Sequence, residues 1–440
     1  MSESIGVRLS PPYLQGAYLA LNAISDAYFL GDGPNCLFAK AEHIHGRHDL
    51  FSTLLSCRSE HRIHHTGVNV FNIAGNFEAE IAAALRRIAS WPGCGAIFMG
   101  SMPMCSIAGT DYERIMREAL SAGGKPAYLI PQRLGLSGDW LDGYAAVLEV
   151  MASGMDLEGA APRPENVAIV GYLMDRNEGE HRGNILELER MLRALGLNPV
   201  SIWLSGKPYE GLRDVRQAGT ILSLPHGRKA AAVLAGRLGA RLIEAELPFG
   251  LEASRRFVEQ LGREFGREGA AADFIAKELD AAVPRLEWSV PHVFLHRRFA
   301  FAGDPRYAVG FAEQIEGLGG EIAGMILMGG AGHLSEAQRK GLEGRPNTVF
   351  EPVTRVVGEH WEEISRGGVD LLVTNTMALE IVRPRTAWLE FGFPSEYTHI
   401  LKDEPFLGFP GALAFLSKAA NEVAKGFFLS RARPVSAGPV

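Results

Sequence analysis

Thiols and imidazoles are the side chains of this chain best suited to metal and redox chemistry. There are four cysteines, Cys36, Cys57, Cys94 and Cys105. They are too few and too scattered in 440 residues for a disulfide framework, so at least one has to be weighed as a metal ligand. Cys36 closes a Gly-Pro-Asn-Cys run in a loop-like context, and soft thiolates are the usual ligands of iron–sulfur centres. Cys105 is a second candidate on the same ground. Cys94 precedes the apolar Ala96–Phe98 and reads as a small buried hydrophobe. Cys57 lies in a polar, histidine-rich segment and stays open. That segment holds His43, His45, His48, His61, His64 and His65. Imidazole binds metals and carries protons near neutral pH, but no zinc-type spacing with cysteine accompanies these residues. A polar surface or subunit-interface segment is favoured over a metal site. Proton donation to a bound substrate is a further option, which unimpaired turnover after substitution of His45 and His48 would sink.

Other candidates follow apolar runs that read as strands, where pocket residues of α/β proteins lie. His226 follows Thr220–Leu224, and its alternative role is to cap a strand–helix turn. Glu178, His181 and Arg182 follow Val167–Leu173. Phe249, in the turn Pro248–Gly250, would suit an organic substrate, although phenylalanine more often packs in a core. His399, beyond Glu390–Ser395, completes the set. None of them qualifies as an acid or base.

The elements that must position these residues alternate short apolar runs with helix-like stretches, the signature of βαβ units and parallel sheets. Ala96–Met99 and Pro126–Ile130 read as strands flanking a helix Tyr112–Ala122. A Pro/Gly-rich linker is expected at Leu157–Glu165. Val167–Leu173, Val200–Leu204, Thr220–Leu224 and Ala240–Ala245 follow as strands, with a helix Arg182–Leu195 stopped by Gly196. Phe299–Gly330 reads as strand, turn, helix and strand, with Asp304-Pro305 starting the helix. Val369–Asn375 and Thr386–Phe391 add strands, and Leu407–Phe428 is a long terminal helix. The expected architecture is α/β, three Rossmann-like domains with mainly parallel sheets, at 1–160, 161–290 and 291–440.

Composition narrows the function classes. The formal charge of −7 and the lack of a Lys/Arg-rich stripe argue against nucleic-acid binding. No apolar run approaches a membrane span, and Met1–Pro12 lacks a secretory pattern, so a cytoplasmic location is expected. No G-x-x-x-x-G-K-[ST] and no convincing G-x-G-x-x-G occur, so direct ATP binding is not expected. A ligand site between domains is expected instead.

Four stretches in order, the last of them in two parts, resemble the nitrogenase component 1-like superfamily, across nearly the whole chain. Gly33–Cys36 followed by His45-Gly46 resembles its cluster-binding cysteine loop, and Ser101–Asp111 (SMPMCSIAGTD) its third cysteine loop. Phe301–Tyr307 (FAGDPRY) resembles part of the third domain. Glu390–Ser395 (EFGFPS) and Pro405–Ala412 (PFLGFPGA) resemble the segments before the final helix. The superfamily includes nitrogenase, its cofactor scaffold, and the dark-operative protochlorophyllide and chlorophyllide reductases. Nickel-tetrapyrrole and methylthio-alkane reductases also belong to it.

The resemblance implies three cluster-binding loops. In the first, Pro12–Ala17, Pro12 stands where a cysteine would align. The second keeps Cys36. In the third, Pro103 holds the aligned place and Cys105 is displaced by two residues. The pattern resembles a subunit giving one ligand to a [4Fe–4S] cluster shared with a paralogous three-cysteine partner, in a heterodimer or heterotetramer. A homodimer using Cys36 and Cys105 from each chain is the second choice. The places that anchor the nitrogenase cofactor hold His226 and Leu407 here, so that metallocluster is not expected to bind in the same way. The implied function is a nitrogenase-like, ATP-dependent reductase subunit served by a separate iron–sulfur ATPase protein. The rivals are a non-catalytic scaffold for cluster assembly and a metal-free three-domain small-molecule-binding protein, with a periplasmic binding protein as a weaker variant.

Overall fold

The computed structural model describes residues 8–431, apart from 58–59, 70, 73–74, 122–123 and 133–137. Residues 1–7, which open the Met1–Pro12 segment, and Ala122, the expected end of a helix, lie outside the described residues. Three parallel sheets follow one another along the chain. The first holds β1 (Ala27–Asp32), β2 (Ile63–His65), β3 (Ala96–Ser101) and β4 (Ala127–Leu129) in the order β2-β1-β3-β4. The second holds β5 (Arg163–Val170), β6 (Asn198–Ile202), β7 (Ala218–Ser223) and β8 (Arg241–Glu244) in the order β6-β5-β7-β8. The third holds β9 (Arg298–Gly303), β10 (Glu321–Leu327), β11 (Thr348–Phe350), β12 (Leu371–Thr374) and β13 (Ala387–Glu390), ordered β11-β10-β9-β12-β13. Every pairing within these sheets is parallel. The expected α/β class with three Rossmann-like units is what the chain adopts.

Strands covered by helices on both faces read as unbroken apolar runs rather than alternations. β1 (AYFLGD) and β3 (AIFMGS) are buried at every position, and Asp32 pairs with Ser101 at their C-terminal ends. Several boundaries differ from expectation. β5 begins at Arg163, which shortens the Leu157–Glu165 linker, and ends at Val170, where Gly171 turns the chain with φ +94°. Pro12–Ala17 is no loop: Pro12 caps the helix α1 (Tyr13–Asn22). Its glycine is needed for packing. A Cβ on Gly16 would lie 1.6 Å from the Trp140 carbonyl oxygen, and one on Gly143 would lie 1.8 Å from that of Tyr13. The helices α1 and α3 (Trp140–Gly154) therefore cross backbone to backbone. Here α2 denotes Cys36–Ile44, between them in sequence.

Three further helices matter for the site. α4 spans Gly179–Ala194, and α5 spans Pro305–Gly317 with the Asp304 carboxylate accepting from the Arg306 amide, as the Asp-Pro start predicts. α6 spans Gly408–Arg431. In each sheet the strand order reverses between two central strands, β1/β3, β5/β7 and β9/β12. Ligand crevices of open α/β sheets lie at such switch points, outside the strand C-terminal ends.

Candidate functional site

The segment after β5 reaches all three sheets. A Cβ on Gly179 would lie 1.9 Å from the Lys402 carbonyl oxygen, so the first turn of α4 presses directly on the backbone before α6. Asn184, one turn further, accepts from the amides of Phe406 and Leu407, both at 2.9 Å. The Glu178 side chain is fully buried. Its carboxylate accepts from the Leu50 amide at 3.2 Å and the Ile400 amide at 2.9 Å, and meets His399 Nδ1 at 2.7 Å. One carboxylate thus ties the first unit, the second and the third. Arg176 fastens the same junction through Glu180, the Thr398 carbonyl at 2.9 Å and Glu178 at 3.6 Å.

Beside this tie runs a buried chain of proton-bearing groups. Because the Asn184 oxygen is committed to two amides, its NH2 donates to Tyr172 Oη at 2.9 Å. The Tyr172 hydroxyl then donates to His181 Nδ1 at 2.7 Å, and His181 Nε2 carries its proton toward Asp175 Oδ1 at 2.7 Å. His48 Nδ1 accepts from the Ser395 amide at 2.9 Å, while Nε2 lies 3.2 Å from the Asp175 carbonyl and 3.6 Å from its carboxylate. Burial alone would raise the Asp175 carboxyl, but His181 and His48 hold it well below the usual carboxylate range. Burial would lower His181, yet Asp175 more than offsets it and the imidazole lies above its ordinary value.

A cavity of about 50 Å³ adjoins this chain, walled by Arg176, Glu180 and His181 on one side and Tyr307, Phe391 and Phe406 on the other. A surface groove of about 1200 Å³, along β13 and α6, shares Leu389, Glu390, Thr398 and Lys418 with it.

The sequence candidates fall in three places. Glu178, His181 and His399 join the junction. His226 lies buried beyond β7, its Nε2 3.3 Å from Asp304 Oδ2 beyond β9, so it bridges the second and third sheets. Burial, then the Arg306 charge, push its pKa down to about 4. Phe249 is packed in an aromatic cluster, stacked on Phe391 with ring centres 5.4 Å apart. Arg182 is half-exposed, paired with Asp403 at 3.0 Å and over the Phe51 ring.

The thiols lie elsewhere. Cys36 is exposed in the first turn of α2, just past β1. Cys105 is buried in the turn Pro103–Ala108 after the neighbouring β3. Burial and the Asp32 carboxylate, which accepts its hydrogen bond, push the Cys105 thiol up to about 11. Cys94 is buried and likewise raised to about 11, chiefly by burial, and Cys57 is exposed. Of the clustered histidines, His48 enters the junction and His43 meets Glu396 at 3.2 Å. Among the described residues the one close grouping of three possible metal ligands is Asp139, Asp142 and His333, which contains no cysteine. Asp175, Arg176, Tyr172, Glu180 and Tyr307 were not among the sequence candidates. The first two lie two and three residues past the expected strand Val167–Leu173, which was the available signal.

Comparison with known proteins agrees with this architecture. No curated protein sequence matches the chain. A solved structure of nitrogenase Cp1 at pH 6.5 superposes with a TM-score of 0.78 at 17% identity, covering 100% of this chain and 97% of that one. Nitrogenase Cp1 at pH 5 gives 0.71 at 14% identity, covering 99% and 92%. The family model for nitrogenase component 1 type oxidoreductases matches residues 13–424. This chain belongs to the nitrogenase component 1 type oxidoreductase family.

Proposed function

We propose that the chain is one subunit of a nitrogenase-like, ATP-dependent reductase complex in the cytoplasm. Electrons come from a separate iron–sulfur ATPase protein, through a [4Fe–4S] cluster held between this chain and a paralogous subunit. The observation that carries the reading is the placement of Cys36. Its thiol is exposed at the switch point of the first sheet, in the first turn of a helix, where a partner subunit can reach it. A [4Fe–4S] cluster takes about four ligands, normally thiolates. Cys105 and Cys94 are buried within the chain, so neither presents its thiol to a partner subunit. The donor set therefore fits a chain that contributes one ligand and leaves the rest to a partner, and it weighs against a homodimer that would need Cys105.

When bound, the cluster supplies one-electron transfer. The residues of this chain hold the substrate in the cavity between the second and third sheets. The chain Tyr172–His181–Asp175 keeps a proton on His181 Nε2 at the cavity wall.

Iron content and electron paramagnetic resonance test the proposal on anaerobic protein, alone and co-produced with its paralogue. A reduced-cluster signal confined to the complex and lost in Cys36→Ala is expected. Iron-free complex would sink the redox reading, and a complex that holds iron without sustained substrate reduction would leave an assembly scaffold.

A further inference from the structure

The buried tyrosines of this chain satisfy their hydroxyls with care. Tyr18 donates to the Leu37 carbonyl, Tyr144 donates to the Tyr172 carbonyl and accepts from the Met174 amide, and Tyr172 is held by Asn184 and His181. Tyr307 breaks the pattern. It is 2% exposed, lines the cavity, and its hydroxyl has no hydrogen-bond partner. Facing the same cavity, Glu180 commits Oε1 to Arg176, while its buried Oε2 is also without a partner. A buried polar atom left unpaired is a standing cost that a phenylalanine at 307 would remove, so retaining it points to a ligand.

The rest of the cavity narrows the ligand. Its cations are already matched, Arg176 by Glu178 and Glu180, His181 by Asp175, and Lys418 by Glu404, while the Glu390 carboxylate accepts only from Thr376 and the amides of Glu396 and Tyr397. Carboxylates outnumber cations around the cavity, which disfavours an anionic ligand. Phe391, Phe406 and Phe415 make much of the remaining wall apolar. One water needs roughly 10–15 Å³, so about 50 Å³ admits only a few non-hydrogen atoms.

We infer that the cavity binds a small, non-anionic molecule carrying both a carbonyl- or imine-type acceptor and an N–H or O–H donor. Tyr307 Oη donates to the acceptor, Glu180 Oε2 accepts from the donor, and the phenylalanine rings enclose the apolar remainder. The shared lining at Leu389, Thr398 and Lys418 makes the surface groove the route of access. As a substrate class this rests on the reductase reading above, but as a binding site it does not, because binding requires neither cluster nor electrons.

Acetamide, with one acceptor, one donor pair and one methyl group, is the probe. Saturation-transfer NMR on the full-length chain should detect its binding. Tyr307→Phe should weaken binding about tenfold or more, since the acceptor of the ligand would lose its donor. The thermal midpoint of the same variant should stay level or rise. Thr398→Trp, at the junction with the groove, should also block acetamide without lowering the midpoint. Failure of acetamide to bind the wild type, undiminished binding to Tyr307→Phe, or a lowered midpoint in that variant would overturn the inference. None of these outcomes bears on the cluster, which the iron and resonance measurements test separately.

Discussion

The C-terminal ends of β1 and β3 and those of β5, β9 and β12 occupy the same topological position in their sheets, yet they are finished in opposite ways. At the first, Cys36 stands exposed, and among the described residues no set of side chains completes a ligand cage around it. At the second, Asp175, Glu178 and His181 are all nearly fully buried, and each has its partners within the chain. A reactive group left open is useful only if something from outside completes it, whereas a buried charge is tolerable only if the fold completes it. One fold therefore leaves one edge open and uses another to fasten its own three units together.

The largest expected effects separate these two edges. Cys36→Ala should abolish the cluster signal of the complex while leaving the thermal midpoint of the lone chain unchanged, because an exposed side chain contributes little to packing. Cys105→Ala should leave the signal in place; loss of the signal in that variant instead would reverse the assignment of the ligand. At the junction the balance is the other way. Glu178→Ala leaves the Leu50 and Ile400 amides without their acceptor, while Arg176 keeps Glu180, and should cost about 2–4 kcal/mol in chemical denaturation. A loss below about 1 kcal/mol, the range of an exposed ion pair, would show that the three units do not depend on this tie.

The two regions were also unequally legible in the sequence. The first sheet's cysteine loop rests on a local run, Gly33–Cys36, and local runs survive in a single sequence. The alternation of apolar runs and helices exposed the three α/β units for the same reason, although β1 itself was left unassigned among apolar neighbours on both sides. The junction is different in kind. Glu178 meets Leu50 and Ile400 across separations of 128 and 222 residues, and no periodicity reports such a meeting. Tyr307 lay inside a quoted motif, FAGDPRY, yet its unpartnered hydroxyl appears only once the walls around it are in place. His226 shows the middle case: the strand before it was legible, but its partner Asp304 was not.

That pair gives the remaining way to sharpen the contrast, by pH. His226 has its pKa pushed down to about 4 from an ordinary 6.5, first by burial and then by Arg306. Below pH 6.5 the unfolded chain takes up a proton that the folded chain refuses until about pH 4, so this group makes stability fall across that window. At about 1.4 kcal/mol per unit the loss amounts to roughly 3 kcal/mol. His181 acts with the opposite sign. Its pKa is raised, so the stability it contributes is full below the ordinary imidazole value and fades as pH rises through the folded one. Asp175, lowered, withdraws its contribution only when pH falls through its own depressed value. The junction should therefore keep its contribution through mild acid, while the cost of holding His226 neutral grows. Thermal midpoints measured from pH 7 to 4 should decline in the wild type and decline less in His226→Gln, which cannot take up the proton. An equal decline in both proteins would move the acid sensitivity away from His226.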